Sequence, residues 1–330
     1  MRLPACLSPG SRRRIATLAL AVAAVVGAPR AAASTPSLAA GQLLLDAAVA
    51  GDSVVAVGER GTVLQSGDAG RSWQRRSSGT HAPLTAVAFA DARHGWAVGH
   101  EGVILQTVDG GASWRVQWQS PSPDDSFLDV LALDASRILA VGAYGLYVVS
   151  TDGGRTWTPR KILEDDYHLN RITRDEAGRL YLAGEHGTLL RSTDAGETWD
   201  PLAPPYEGSF YGILPLGGDV LLAYGLRGRV YRSDDAGASW TSVPADAAAL
   251  LATAVRLPGG QVVLAGQTRA PLVSPDARAA FARREVGLTT GIAELLLLSE
   301  GQLLAVGEAG ASLLPVAALL ADAPPPAANP

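Results

Sequence analysis

Two sets of residues in this 330-residue chain have types and spacings that could do chemistry. One is an aspartate that returns in phase: Asp68, Asp109, Asp152, Asp194 and Asp235. Each lies two residues after a Ser or Thr and five before a tryptophan (Trp73, Trp114, Trp157, Trp199 and Trp240). The other is a group of charged and aromatic residues at equivalent points of the repeat: Glu59, Arg60, His100, Glu101, Tyr144, Glu185, His186 and Arg227. A repeated aspartate could bind calcium or act in catalysis. However, each copy offers one carboxylate, and calcium takes about six to eight oxygen ligands. A structural role follows better: the Asp accepts hydrogen bonds from the N–H groups of a tight turn, and the Ser or Thr supports it. A glycine lets the chain reverse, and the Trp packs between the turn and the neighbouring sheet. His100 and His186 have the right donors for a metal, but they come from non-adjacent units, so no metal, cofactor or catalytic set is assigned.

The elements that must position these residues are read from the period. The five tryptophans are spaced by 41, 43, 42 and 41 residues, and Phe281 continues the phase. Gly58, Gly99, Gly142, Gly184, Gly225, Gly266 and Gly307 mark the same register. Seven units of about 42 residues point to stacked copies of one supersecondary element. In the second unit, residues 84–89, 95–98, 103–107 and 113–117 read as strands A to D, separated by Gly- and Asp-rich turns. No segment from 34 to 316 carries a sustained helical period. An all-β, seven-bladed β-propeller of four-stranded blades is expected over residues 34–321.

The ends refine that expectation. Arg2, Arg12, Arg13 and Arg14 precede an uncharged run from Ile15 to Ala28, and Ala31-Ala32-Ala33 offers a cleavage site, so residues 1–33 read as a signal peptide. An uncleaved anchor is the alternative, and both Sec and twin-arginine export are left open. Removing 1–33 takes five arginines, no acid and the lone Cys6, so a formal charge of −5 becomes −10. The mature chain is expected to be soluble, monomeric and periplasmic or otherwise extracytoplasmic. An acidic chain with 18% charged residues excludes nucleic acid held by a basic surface. The seventh unit runs into Ala323-Pro324-Pro325-Pro326, which cannot add a ladder strand. The mature N-terminus, residues 34–40, is therefore expected to supply strand D of blade seven and close the ring. The Pro/Ala-rich tail 322–330 is expected to be disordered. Arg278 replaces the turn glycine in the sixth unit, which predicts an altered turn there.

The motif Ser66-Gly67-Asp68-Ala69-Gly70-Arg71-Ser72-Trp73 and its four regular copies resemble the BNR or Asp-box repeat. Val57-Gly58-Glu59-Arg60-Gly61-Thr62-Val63-Leu64, its counterparts at 98–105 and 183–190, and Gly95-Trp96-Ala97-Val98-Gly99 resemble the photosystem II stability/assembly factor family of seven-bladed propellers. That resemblance spans about residues 43 to 316. It implies a lumenal or periplasmic scaffold that binds a membrane-protein assembly intermediate and does no chemistry, with a role in photosynthesis. Members of that family present an arginine-rich partner surface, whereas this chain is acidic. Sialidases share the repeat, but the Arg-Ile-Pro expected near the first blade is absent; Arg137-Ile138 and Arg171-Ile172 lack the proline. Tyr206-Glu207, Asp124-Asp125 and Glu164 to Asp166 are the remaining hydrolase candidates. The expectation is a non-catalytic scaffold whose B–C and D–A loops bind a membrane or envelope protein. A sialidase-like glycoside hydrolase or glycan-binding propeller is the alternative. Asp129, Arg171 and Glu294 fall at aligned strand-A positions and are expected to form a hydrated charge set in the channel.

Overall fold

The structure, a computed structural model, describes residues 38–299 and 301–321. Short antiparallel strands succeed one another from Leu44 to Pro315 and group into seven sheets. The seven-bladed propeller expected from the period is the fold found. Blade one contains strands A to D at Leu44–Ala50, Ser53–Gly58, Thr62–Ser66 and Gln74–Arg76. Blade two contains Leu84–Phe89, Gly95–Gly99, Val103–Thr107 and Arg115–Gln119. The inner strands A of blades three to seven are Phe127–Ala132, Leu169–Arg174, Phe210–Gly217, Leu251–Arg256 and Ile292–Ser299.

Six blades have four strands, and blade seven has three among the described residues. Its third strand, Gly310–Pro315, leads into a one-turn helix, α1 (Val316–Leu320), in place of a strand D. Of the segment expected to close the ring, residues 34–37 lie outside the described residues and residues 38–40 form a turn. Ala39 is fully buried against a cluster that includes Leu304 and Val306 of blade seven. The Gly41 N–H donates to the Ala309 carbonyl at 3.1 Å. The expected signal peptide, 1–33, and tail, 322–330, also lie outside the described residues.

Seven hydrophobic clusters fill the seven seams between neighbouring blades, so the core is a ring of interblade layers. Between blades one and two, Val55, Val57 and Val63 meet Leu84, Val87, Val103, Leu105 and Trp114. The B strands Gly95–Gly99, Ile138–Gly142 and Val262–Gly266 are buried at every residue. Coverage on both faces explains why they read as unbroken apolar runs and not as alternation.

The marker glycines have a spatial explanation. At Gly58, Gly99 and Gly142 the backbone is extended, with φ of −176°, −169° and −168°, which any residue adopts. A Cβ there would lie 2.1 Å from the carbonyl oxygen of Leu43, Pro83 or Ser126. That oxygen stands just before strand A of the same blade, and it accepts the N–H of the residue after the glycine. Glu59, His100, Ala143, Glu185, Leu226, Gln267 and Glu308 donate at 2.9 to 3.2 Å to Leu43, Pro83, Ser126, His168, Ser209, Leu250 and Gly291. The bond recurs in all seven blades. Gly99→Ala is therefore expected to destabilise the ring by at least about 2 kcal/mol in urea unfolding. Gly67→Ala, whose Cβ meets nothing within 4 Å, is expected to leave the midpoint unchanged.

Candidate functional site

On one face of the ring, each aspartate closes the turn between strands C and D. Asp68 Oδ1 accepts the Ser66 hydroxyl and the Ser72 N–H, both at 2.8 Å, and Oδ2 accepts the Ser72 hydroxyl at 2.6 Å. Ser66 Oγ in turn accepts the Gly70 N–H at 2.8 Å. Asp109, Asp152, Asp194 and Asp235 repeat this with Ser113, Thr156, Thr198 and Ser239. Both carboxylate oxygens are thereby committed within the turn. The hydroxyl residue just before each tryptophan was not singled out by sequence reasoning, although its recurrence as Ser or Thr was there to find. Trp73 and Trp114 each donate their indole N–H to the turn glycine carbonyl, at 3.1 and 3.0 Å. In blade six the turn is altered, as expected. Ala277 keeps the positive φ of Ala69, Ala195 and Ala236, Arg278 does not take that of the glycine it replaces, and Asp276 accepts the N–H groups of Arg278 and Ala279.

These turns also join blades. Gln65 and Gln106 donate to the Gly110 and Gly153 carbonyls of the next blade's turn, at 2.8 and 2.9 Å. Tyr147 and Arg232 reach Gly196 and Asp276 in the same way. Two clefts open on this face. One, of about 620 Å³, is lined by His94, Arg115, Gln117, Asp134 and Asp152. The other, of about 690 Å³, is lined by Arg174, Asp175, Arg179 and Arg256.

In the channel, the expected charge set gains one charged member, Asp46, and one hydroxyl, Thr253. Arg171 of blade four pairs with Glu294 of blade seven at 2.6 Å. Glu294 also accepts the Thr253 hydroxyl at 2.6 Å. Asp129 Oδ2 accepts the Ile172 N–H of the next blade at 2.8 Å, and Asp46 Oδ2 accepts that of Val87 at 2.7 Å. Asp46 and Thr253 hold the same strand position as Asp129, so the strand-A alignment could have revealed them. Burial, and next the charge of Glu294, holds the Asp46 carboxyl well above the usual carboxylate range. Burial pushes Asp129 up to about 6, against the opposing pull of Arg171.

On the other face, the B–C and D–A loops are stitched together. Gly102, Gly145 and Gly187 N–H groups donate to the carbonyls of Asp125, Tyr167 and Gly208 at 2.7 to 2.9 Å. Six loop tips hold a non-glycine residue at positive φ: Arg60, Glu101, Tyr144, His186, Arg227 and Arg269. The last was missed because blade six lacks the glycine that follows the other tips. Of the residues expected to bind a partner, the structure gathers Tyr144, Glu185 and His186. Tyr144 meets His168 edge-on at 4.9 Å, and Tyr167 stacks on His186 at 4.5 Å. Glu185 accepts the His168 N–H at 3.1 Å, and its carboxylate lies 3.6 Å from His168 Nδ1. Glu59 and Arg60 lie 3.9 Å apart at the blade-one tip. His100 bonds Ser126 Oγ at 2.9 Å, while Glu101 and Arg227 are exposed at their own tips. Among the described residues no group of three or more His, Cys, Asp or Glu is placed to hold a metal.

The family model described as "Photosynthesis system II assembly factor YCF48" matches residues 116–271. Over that segment, a little under half of the chain, the sequence is similar to the photosystem II assembly factor family. A solved structure described as YCF48 bound to D1 peptide has a TM-score of 0.67 and 21% identity, covering 84% of this chain and 94% of that one. YCF48 from Cyanidioschyzon merolae has a TM-score of 0.70 and 17% identity, covering 84% and 96%. An ancestral GH74 enzyme has a TM-score of 0.66 and 16% identity, covering 81% of this chain and 44% of the enzyme. These solved structures share the fold. No curated protein matches the sequence.

The propeller carries carboxylates shifted in both directions. Bonds from the hydroxyl and N–H of the residue before the tryptophan lower Asp68, Asp152, Asp194 and Asp235 to about 2. Their contribution is present above the unfolded value of 3.8 and lost as pH falls towards 2. The Asp129 contribution is complete below 3.8 and lost as pH rises through about 6. Melting temperature is therefore expected to peak on the acid side of neutrality. Asp46→Asn combined with Asp129→Asn should flatten the neutral limb and leave the acid limb in place. Calorimetry across pH checks both limbs.

Proposed function

We propose that this protein is an exported, non-catalytic scaffold that docks on a membrane or envelope protein through its B–C and D–A loop face, in an assembly or stability role. One observation carries this reading. Both faces of the ring contain residues in the left-handed region, which disfavours side chains with a Cβ by about 1–2 kcal/mol per residue. At the aspartate turns such positions hold Ala69, Ala195, Ala236 and Ala277, or glycine. At the opposite tips they hold Arg60, Glu101, Tyr144, His186, Arg227 and Arg269. Only the loop face places long polar or aromatic side chains where the backbone disfavours them, on a hydrogen-bonded frame. Strain retained beneath such side chains supports a recognition role.

A propeller of the same fold bound to D1 peptide supports a protein segment as the ligand. The basic and apolar N-terminal sequence supports export. The hydrolase candidates lend less support to the alternative. Asp125 is held by Ser120, Glu164 is exposed beside Lys161, and Tyr206 packs against Phe210 and Tyr231 beneath Arg229.

Crosslinking the tagged chain in envelope fractions and identifying what it captures tests this reading. A membrane or envelope protein is expected. Substituting Arg60, His100, Glu185 and His186 together is expected to lower capture at least about tenfold, equivalent to about 1.4 kcal/mol, with an unchanged melting temperature. Unchanged capture would move the site off this face. Turnover of a sialoside or glucan panel, with no membrane protein recovered, would overturn the scaffold reading.

A further inference from the structure

The loop face is not uniform, and its most exposed aromatic ground lies over blades three and four. Tyr144 is 69% exposed, at a tip with φ of 56°. Next to it are His168, edge-on to Tyr144, and the stacked Tyr167–His186 pair, all drawn from two B–C tips and the D–A loop between them. The Gly145 N–H to Tyr167 carbonyl bond, 2.8 Å, fixes the first tip to that loop. The ring edges and faces are therefore preset before any ligand arrives, which lowers the entropy lost on binding.

The charge around this ground has one dominant sign. Glu164, Asp165 and Asp166 are exposed on the same D–A loop, and Glu185 sits at the base of the ring group. Lys161 is the only lysine of the chain, and it lies 3.4 Å from Glu164, so it neutralises part of one of these acids. Arginine tips stand elsewhere, at Arg60, Arg227 and Arg269 of blades one, five and six. Aromatic faces with nearby carboxylates attract a guanidinium or ammonium group by cation–π and ionic attraction together. An acidic segment would meet uncompensated like charge here.

Resting on the docking role proposed above, we infer that the surface formed by Tyr144, Tyr167, His168 and His186 with its acidic rim receives an arginine- or lysine-bearing extended segment of the partner. The cation lies against the rings, and the carboxylates set its orientation and speed its approach.

The test uses the full chain with fluorescent probes: a short peptide alternating arginine and serine, and versions carrying glutamate or glutamine in place of arginine. Anisotropy is expected to show binding of the arginine probe alone, weakened several-fold between about 0.05 and 0.3 M salt. Tyr144→Ala, and separately Asp165→Asn with Asp166→Asn, should each weaken it by about threefold to tenfold, with an unchanged melting temperature. Tyr144→Phe should retain it, and Arg71→Ala, exposed at the opposite aspartate-turn face, should not weaken it. Equal binding of the glutamine or glutamate probe, no binding of the arginine probe, or insensitivity to the blade-three changes would overturn the inference. Failure here, with client capture still dependent on loop residues, leaves the docking role standing. Capture that ignores every loop substitution removes both.

Discussion

The structure depends on how closely the end of strand B passes the start of strand A within each blade. A carbonyl there accepts the N–H of the residue after the marker glycine, and no Cβ fits between the two chains. This contact fixes the distance between the innermost strand and its neighbour at the loop-bearing rim. Because it recurs in all seven blades, every B–C hairpin leaves its sheet from an equivalent point. In blades one to five the tips of that face then differ in side chain and very little in placement. Recognition can vary by sequence while the scaffold stays constant, as is usual for loops on a repeat architecture.

The opposite rim has a different task. Its aspartates spend both oxygens on their own turns, and the turn carbonyls receive donors from the preceding blade. Each turn is thus a hairpin closure and a docking point for its neighbour. The tryptophan adds apolar area to the same seam; Trp114 packs with Phe89 and the valines of blade one. Hydrogen bonding and burial act together here, which suits a ring whose core is divided among seven thin layers.

Much of the fold was legible because its rules repeat. The 42-residue period, the aspartate motif and the glycine register each occur often enough to confirm one another. Strands A and C of blade two were placed without error, and strand D was displaced by two residues because the motif tryptophan belongs to the turn and not to the strand. The candidate site was less legible. The tip positions could be counted from the glycines, but the Tyr–His pairings join residues from separate hairpins, and no spacing encodes them. Asp46 was legible from the strand-A position it shares with Asp129, but its partner, the Val87 N–H, is a backbone group of another blade and leaves no mark in the sequence. Arg269 broke the count because blade six follows a different hairpin rule.

The Arg171–Glu294 pair joins positions 123 residues apart in the chain. It crosses the channel between blades four and seven, so it acts as a tie rod across the ring, where the seams act as hoops around it. A tie rod of this kind links circular closure to synthesis order. Arg171 is in place when the first four blades exist, but its partner arrives only with the last blade. The half-built ring therefore holds an arginine with Asp46 and Asp129 near it but without its ion-pair partner, and that pair forms only as the circle is completed.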